Sequence, residues 1–120
     1  MGGKLRNKTE NRTGVNLVKV ARIREIKPGQ RKVVSINGTD VALFNLDGKF
    51  YAISNRCPHA DFPLTFAPVY GDTIICPNHG WMFNVKTGSC MTKSSCVIRT
   101  YKVIVEGNDV KIEIYDLSKI

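Results

Sequence analysis

Two short segments rich in metal-binding side chains constrain the fold of this 120-residue chain more than any other feature. The first reads Cys57-Pro-His59, and the second, after sixteen intervening residues, reads Cys76-Pro-Asn-His79. Each segment offers one thiolate and one imidazole within a short stretch that proline stiffens. A fold that brings the two segments together creates a site with two sulfur and two nitrogen donors.

The donor set of Cys57, His59, Cys76 and His79 leaves two kinds of metal site open. Two cysteines and two histidines suit tetrahedral zinc or an iron–sulfur centre of mixed ligation. Zinc fingers usually take a cysteine pair from one element and a histidine pair from another, whereas each segment here supplies one of each. Crossed pairing instead places both thiolates on one iron and both imidazoles on a second, as in histidine-ligated [2Fe–2S] clusters.

The spacing of the two remaining cysteines, Cys90 and Cys96, does not indicate that they are metal ligands. Residues 1–14 lack the apolar run of a secretory signal, and no stretch approaches the roughly 18 apolar residues of a membrane span. We therefore expect a cytoplasmic protein without a membrane span, in which metal ligation explains the cysteines better than a disulfide framework does. Cys90 and Cys96 are expected to be buried or half-buried thiols, with a local disulfide or redox-sensing pair as the alternative.

Hydrophobic patterning predicts β-strands throughout the rest of the chain. The predicted strands are residues 33–36, 41–46, 49–53, 102–106 and 110–114, with a short strand at 73–76 in the metal-binding region. Asn-Gly at 37–38, Asp-Gly at 47–48 and Gly107-Asn108 favour tight hairpin turns between them. Residues 17–26 fit a strand or a short amphipathic helix, and we favour a strand to about residue 22 followed by a turn.

The length allows one domain. We expect a flexible basic tail at residues 1–14 and a single domain at 15–120. The base of that domain comprises 15–53 and 97–120. The insert, 54–96, carries all four cysteines and both histidines.

Positive charge is concentrated at the start of the chain. The net charge is +8, and residues 1–32 alone account for it, with ten of the 18 Lys and Arg and two of the ten Asp and Glu. We interpret this segment as a solvated basic tail, with steering of an acidic partner, nucleic acid or an anionic membrane surface as the alternative. No aromatic residue is interleaved with these charges before Phe44, so we expect no nucleic-acid partner.

The cysteine segments and their flanks resemble the cluster-binding region of Rieske-type ferredoxins, the small electron carriers of bacterial aromatic-ring dioxygenase systems, which have relatives in archaea. The likeness covers roughly residues 15–116 and rests on Cys57-Pro-His59, Gly71-Asp-Thr-Ile-Ile-Cys76-Pro-Asn-His79-Gly-Trp-Met-Phe83 and Thr87-Gly88. It implies an all-β Rieske-type fold, in which an antiparallel β-sandwich or barrel base carries a small inserted cluster-binding β subdomain. It also implies one [2Fe–2S] cluster, held by Cys57, His59, Cys76 and His79.

Departures from the high-potential members of the family imply a low reduction potential. Those proteins carry an extra, disulfide-forming cysteine in each loop, where this chain has Phe62 and Asn78. They also place hydroxyl groups near the cluster sulfurs, where this chain has Trp81 and Phe83. Hydrogen bonds to sulfur stabilise the reduced cluster, so we expect a potential at the low end of the Rieske range of about −150 to +300 mV.

The segment that covers the cluster in the family also differs here. Residues 92–101 contain no proline. We expect Ser94, Ser95 or Cys96 to cover the cluster instead.

Motifs for other chemistry do not appear in the sequence: there is no candidate nucleophile, general-base pair, phosphate loop or dinucleotide fingerprint. We therefore interpret the chain as a soluble, monomeric one-electron carrier and not an enzyme. It would pass electrons from a ferredoxin reductase to a terminal oxygenase or another acceptor. The alternatives are a small cluster-bearing subunit of a larger redox enzyme such as nitrite reductase, and a zinc-bound structural or interaction module.

Overall fold

The computed structural model describes residues 15–58, 61–78, 80–92 and 96–115, which form β-strands joined by turns. A single 3-10 turn, Ile23–Glu25, follows the first strand. In chain order the strands are β1 (Val15–Arg22), β2 (Arg31–Ile36), β3 (Thr39–Leu46), β4 (Lys49–Ser54), β5 (Arg56–Cys57), β6 (Phe62–Pro63), β7 (Val69–Tyr70), β8 (Thr73–Ile75), β9 (Met82–Asn84), β10 (Thr100–Tyr101), β11 (Val103–Glu106) and β12 (Asp109–Tyr115).

Two antiparallel sheets form the base of the fold. One has the strand order β1-β12-β11 and the other β10-β4-β3-β2. Between them lies an apolar core of Ala21, Ile26, Ile36, Val41, Leu43, Ala52, Val110 and Ile112. The predicted all-β class is confirmed, and residues 17–22 belong to a strand and not to a helix. In the described ranges no helix has the length and apolarity to cross a membrane. The predicted tail at residues 1–14 lies outside those ranges.

Strand β3 is covered on both faces and so connects the base to the rest of the molecule. Successive side chains of a strand point to opposite faces. Val41 and Leu43 accordingly join the core between the two sheets. Ala42 and Phe44 join a second core, on the other face, formed with the cysteine-bearing region. Burial on both faces explains why this strand reads as a continuous apolar run without polar alternation.

The two predicted turns of the β2–β3–β4 meander have the expected geometry. Both central residues of each turn have positive φ, 51° and 81° at Asn37 and Gly38 and 57° and 90° at Asp47 and Gly48. This is the type I′ pattern, whose twist matches that of the flanking strands. The local sequence therefore sets the register of the sheet that supports the site.

The side chain of Asn45 fastens the chain between β1 and β2 to this sheet. Asn45 is 3% exposed. Its Nδ2 donates to the carbonyl of Ile26 at 2.8 Å, and its Oδ1 accepts from the N–H of Gly48 at 2.7 Å. Both ends of the buried amide are thus satisfied, as a buried polar group requires.

Two small β-hairpins carry the metal-binding segments. β5 and β6 pair with each other, and β8 pairs with both β7 and β9 in a three-stranded sheet. The first segment connects β5 to β6, and the second connects β8 to β9. The short strand predicted at 73–76 is confirmed as β8, which ends one residue before Cys76.

Candidate metal centre

The two metal-binding segments close in the same way. The N–H of Asp61 donates to the carbonyl of Cys57 at 2.7 Å, and the N–H of Gly80 donates to the carbonyl of Cys76 at 3.0 Å. Both closing residues lie in the left-handed region, with φ of 50° at Asp61 and 71° at Gly80. Each loop is therefore a five-residue turn that starts with Cys-Pro and ends on a left-handed residue.

This shared closure was missed by the sequence analysis. Gly80 is a recognisable signal, because glycine adopts positive φ at no steric cost. Asp61 is harder to recognise in the sequence as a loop-closing residue, although aspartate tolerates the left-handed region better than most residues. The ion pair of Arg56 with Asp61 adds little, since its Nε–Oδ1 distance is 3.8 Å and both side chains are exposed.

The two predicted cysteine ligands meet in the protein interior. Cys57 and Cys76 are both 0% exposed and belong to one apolar core. Burial raises the pKa of the Cys76 thiol, the backbone N–H of Asn78 opposes the shift, and the interaction with the neighbouring Cys57 thiol raises the pKa further. The Cys76 thiol is therefore hard to ionise on its own.

The two sulfurs are suited to bind a positively charged group such as a metal ion. A metal cation reverses the unfavourable ionisation, because a coordinated thiol is deprotonated outright. His59 and His79 lie outside the described residues, so their ligation stays a prediction. Among the residues that are described, no three His, Cys, Asp or Glu side chains group closely enough to hold a metal ion.

Asn55 holds the first loop against the base. Its N–H donates to the carbonyl of Asp40 at 3.0 Å, and its carbonyl accepts from the N–H of Leu64 at 2.9 Å. Its side-chain Nδ2 donates to Oγ1 of Thr65 at 2.8 Å. Because Asn55 precedes Cys57 by two residues, these bonds fix where the first loop leaves the sheet. The sequence offers no signal for this role, since asparagine at a strand end reads as an ordinary turn residue.

Arg31 ties β2 to the chain that follows the first loop. Its guanidinium donates to the carbonyl of Leu64 at 2.7 Å and to the carbonyl of Ala67, and it lies 5.0 Å from the centre of the Phe44 ring. Desolvation by burial lowers the pKa of Arg31 from its ordinary value, and arginine nevertheless remains charged in proteins.

The basic segment is therefore more than a solvated tail. Residues 15–32 comprise β1, the 3-10 turn, the connection at 26–30 and the first two residues of β2. Lys19 pairs with Asp109 at 3.3 Å, and Lys32 pairs with Glu25 at 2.8 Å. The interpretation as a tail is wrong for these residues, because pairing with distant acidic groups is invisible in a charge count.

Cys90 and Cys96 are half-buried thiols, as expected. Both pack against the core that contains Cys57 and Cys76. Desolvation raises the pKa of the Cys96 thiol, and its charge interaction and hydrogen bond with Cys90 raise it further. Of the three residues expected to cover the cluster, Ser94 and Ser95 lie outside the described ranges. Cys96 lies near enough to Cys57 to interact with it electrostatically.

The surface around the two loops combines apolar side chains with an open cleft. The cleft has a volume of about 660 Å³ and is lined by Ser54, Arg56, Cys57, Pro58, Asp61, Val97, Ile98 and Arg99. Exposed apolar side chains on the strands and turns next to the loops are Phe62, Met82, Met91 and Val97. Such side chains beside a buried pair of cysteines are typical of a surface that contacts other proteins.

Comparison with known proteins identifies relatives of this chain. The sequence profile of the Rieske [2Fe-2S] domain matches residues 16–102. The biphenyl dioxygenase ferredoxin subunit of Pseudomonas sp. (strain KKS102) is 31% identical over 101 residues, which cover 82% of this chain and 93% of that protein.

Solved structures agree with the sequence comparison. The ferredoxin of carbazole 1,9a-dioxygenase from Nocardioides aromaticivorans IC177 superposes with a TM-score of 0.74 at 30% identity, over 81% of this chain and 96% of that one. The complex of reduced oxygenase and oxidized ferredoxin in carbazole 1,9a-dioxygenase includes a chain that superposes with a TM-score of 0.72 at 30% identity. That match covers 80% of this chain and 91% of the other.

Proposed function

Because this chain belongs to the Rieske [2Fe–2S] domain family, we propose that it carries single electrons from a ferredoxin reductase to a terminal oxygenase or another acceptor. The observation that carries the proposal is the pair of buried cysteines, Cys57 and Cys76, which share one apolar core and stand at the start of two similarly closed loops. The family's cofactor, one Rieske-type [2Fe–2S] cluster, supplies reversible one-electron exchange when it is bound.

Cys57, His59, Cys76 and His79 would hold the cluster, with the two sulfurs on one iron and the two imidazoles on the other. The interaction between the Cys57 and Cys76 side chains supports this pairing, because sulfurs that share one iron have to lie close together. The matching loop closures also support it, since each cysteine starts a loop that ends with the same kind of backbone hydrogen bond.

The protein matrix around the sulfurs contributes burial and position. Cys57 and Cys76 belong to one apolar core together with Phe83 and Leu64, so water is kept from the sulfur side of the site. Asp61 and Gly80 hold the cysteine carbonyls through backbone bonds, and Asn55 anchors the first loop to the base. A rigidly held site changes little on gaining or losing an electron, which favours fast transfer.

The acceptor docks on the exposed apolar side chains beside the loops. Phe62, Met82, Met91 and Val97 are each between 37% and 66% exposed. Arg56 and Asp61 oppose each other in charge on the same face. Contact there is therefore mainly apolar and weakly dependent on salt, whereas the basic start of the chain adds a steering contribution that salt screens. The relative solved in complex with its oxygenase supports an oxygenase as the class of acceptor.

The chain works as a monomer, catalyses no reaction by itself and is located in the cytoplasm. Both of its histidines are assigned to ligation, which leaves no imidazole for acid–base catalysis. A reducing compartment suits four cysteines that are all thiols. The base of the domain is residues 15–53 and 97–120, and the insert is residues 54–96.

Metal analysis and EPR of the dithionite-reduced protein test the assignment. We expect two iron and two sulfide per chain and a rhombic spectrum of low average g, which marks mixed histidine and cysteine ligation. Cys76→Ser and His79→Ala should lose this spectrum. Cys90→Ser is the matched control and should keep it, because Cys90 is a cysteine of the same region that takes no part in ligation.

Other outcomes would contradict the proposal in distinguishable ways. One zinc per chain and no EPR signal would identify a structural module. A signal of high average g that survives His79→Ala would identify an all-cysteine cluster. Stable co-purification with a large catalytic chain would identify a subunit of a larger redox enzyme.

A further inference from the structure

Cys90 and Cys96 lie opposite each other on two antiparallel segments next to the proposed cluster loops. An antiparallel bridge joins Ser89 to Val97, so the next residues along the two segments, Cys90 and Cys96, form the following cross-strand pair. Residues directly opposite in an antiparallel pair have Cα atoms about 4.5–5.5 Å apart. This spacing falls within the range of about 4.4–6.8 Å that a disulfide spans.

The two side chains lie on the same face, because directly opposite residues of an antiparallel pair do so. The Cys96 thiol interacts with that of Cys90, and both residues are thiols in the structure. One backbone bond joins the two segments, from the N–H of Ile98 to the carbonyl of Gly88 at 2.9 Å. A second fixes the segment with Cys90 to β9, from the N–H of Met91 to the carbonyl of Met82 at 2.8 Å. A bond between the two sulfurs therefore needs side-chain rotation and little movement of the backbone.

The pair is also within reach of small molecules in solution. Cys90 and Cys96 are only partly buried. Their neighbours Met91 and Val97 are 49% and 66% exposed, so this part of the chain is at the surface. Neither cysteine is used by the proposed electron carrier, and the geometry of the pair does not depend on which metal group the loops hold.

We propose that Cys90 and Cys96 form a second redox site, a dithiol that low-molecular-weight disulfides oxidise to a cross-strand disulfide. In the first step one cysteine sulfur attacks the small disulfide, forms a mixed disulfide and releases one small thiol. In the second step the other cysteine sulfur attacks the mixed disulfide, forms the Cys90–Cys96 bond and releases the second small thiol. The protein loses two protons and two electrons, and the small disulfide takes up both to become two thiols.

Oxidation of the pair would change the surroundings of Cys57 in the first loop. Cys96 interacts electrostatically with Cys57, and both cysteines of the pair pack on the core that contains Cys57 and Cys76. The disulfide also closes residues 91–95 into a covalent loop beside the site. The two-electron oxidation of this cysteine pair thus takes place next to the region where the proposed cluster exchanges single electrons.

The experiment exposes cluster-loaded protein to mixtures of oxidised and reduced glutathione under argon. The pH is mildly alkaline, because the thiolate is the attacking species. Samples are quenched in acid, which releases the cluster, and every remaining thiol is alkylated under denaturing conditions before mass spectrometry. Protein incubated with reduced glutathione alone should carry four alkyl groups. Protein incubated with excess oxidised glutathione should carry two, on Cys57 and Cys76, and yield a peptide pair joined through Cys90 and Cys96.

Single substitutions provide the matched controls. Cys90→Ser and Cys96→Ser each leave one thiol of the pair. In both variants the reaction should stop at the mixed disulfide with glutathione. The visible absorbance of each variant reports that the cluster site has formed. The melting temperature gives a second readout. It should rise on oxidation of the protein without substitutions, and it should not rise in either variant.

Three results would overturn the proposal. The first is four alkyl groups at every glutathione ratio, which means that the pair does not oxidise. The second is stable glutathione adducts on the unmodified chain, which means that the two sulfurs cannot reach each other. The third is a disulfide from Cys90 or Cys96 to Cys57 or Cys76. Each of these can occur with the EPR signal intact, so failure here is distinguishable from failure of the electron-carrier proposal.

Discussion

Alanine in place of Gly88 probes how tightly the segment with Cys90 is held against the segment with Cys96. A Cβ atom added at Gly88 would lie 2.4 Å from the carbonyl oxygen of Ile98 and 2.9 Å from Cγ2 of Thr100. Cβ atoms essentially never approach other atoms below 3.0 Å, and the first of these two neighbours is backbone that cannot rotate away. The two segments must therefore separate to make room.

The cost of this substitution has two parts that a control variant separates. Gly88 has φ of 81°, where alanine costs about 1 kcal/mol of backbone strain. Gly71 has φ of 63° and no atom within 4 Å of an added Cβ, so Gly71→Ala measures that strain alone. Gly88→Ala adds overpacking of about 1–3 kcal/mol. It also loses the 2.9 Å bond between Ile98 and Gly88, worth about 1 kcal/mol.

We therefore expect Gly88→Ala to lower the free energy of unfolding by about 3–5 kcal/mol and Gly71→Ala by about 1 kcal/mol. Urea unfolding of the cluster-loaded protein, followed by far-ultraviolet circular dichroism, measures both. Visible absorbance reports whether the cluster is released in the same transition. An equal decrease in the free energy of unfolding of the two variants would refute the reasoning, because it would show that the segments adjust to the added methyl group at no cost.

Two further predictions concern the half-buried cation Arg31 and the cluster itself. Arg31→Lys should lower the free energy of unfolding by roughly 1–3 kcal/mol, since lysine cannot serve the carbonyls of Leu64 and Ala67 in the same forked geometry or stack as well on Phe44. The exposed Arg24→Lys should change it by less than about 0.5 kcal/mol in the same urea titration, and a similar loss in both would contradict the structural role of Arg31. Voltammetry of the cluster-loaded protein should give a reduction potential at the low end of the range of about −150 to +300 mV, and a value near the upper end would show that hydroxyl donors at the sulfurs are not needed for a high potential.

Local chemistry alone was enough to predict most of the base. Asn37-Gly38 and Asp47-Gly48 define their hairpins because a type I′ turn needs positive φ at two adjacent positions, a demand that few residue pairs meet. The alternation of Val110 and Ile112 with polar residues marks the buried face of β12 in the same local way. The spacing of the two cysteine–histidine segments and their likeness to Rieske-type ferredoxins identified the family.

Only the tertiary structure decided which other distant groups meet. The interactions between Cys90 and Cys96 and between Arg31 and the carbonyl of Leu64 join parts of the chain whose approach depends on how the chain packs as a whole. No periodicity encodes such contacts, because turn geometry and side-chain alternation act over a few residues, whereas packing is settled by the whole core. The amino-acid sequence thus determined the strands, the turns, the family and the expected pairing of Cys57 with Cys76, whereas packing alone placed Cys90 beside Cys96 and Arg31 beside the chain that follows the first loop.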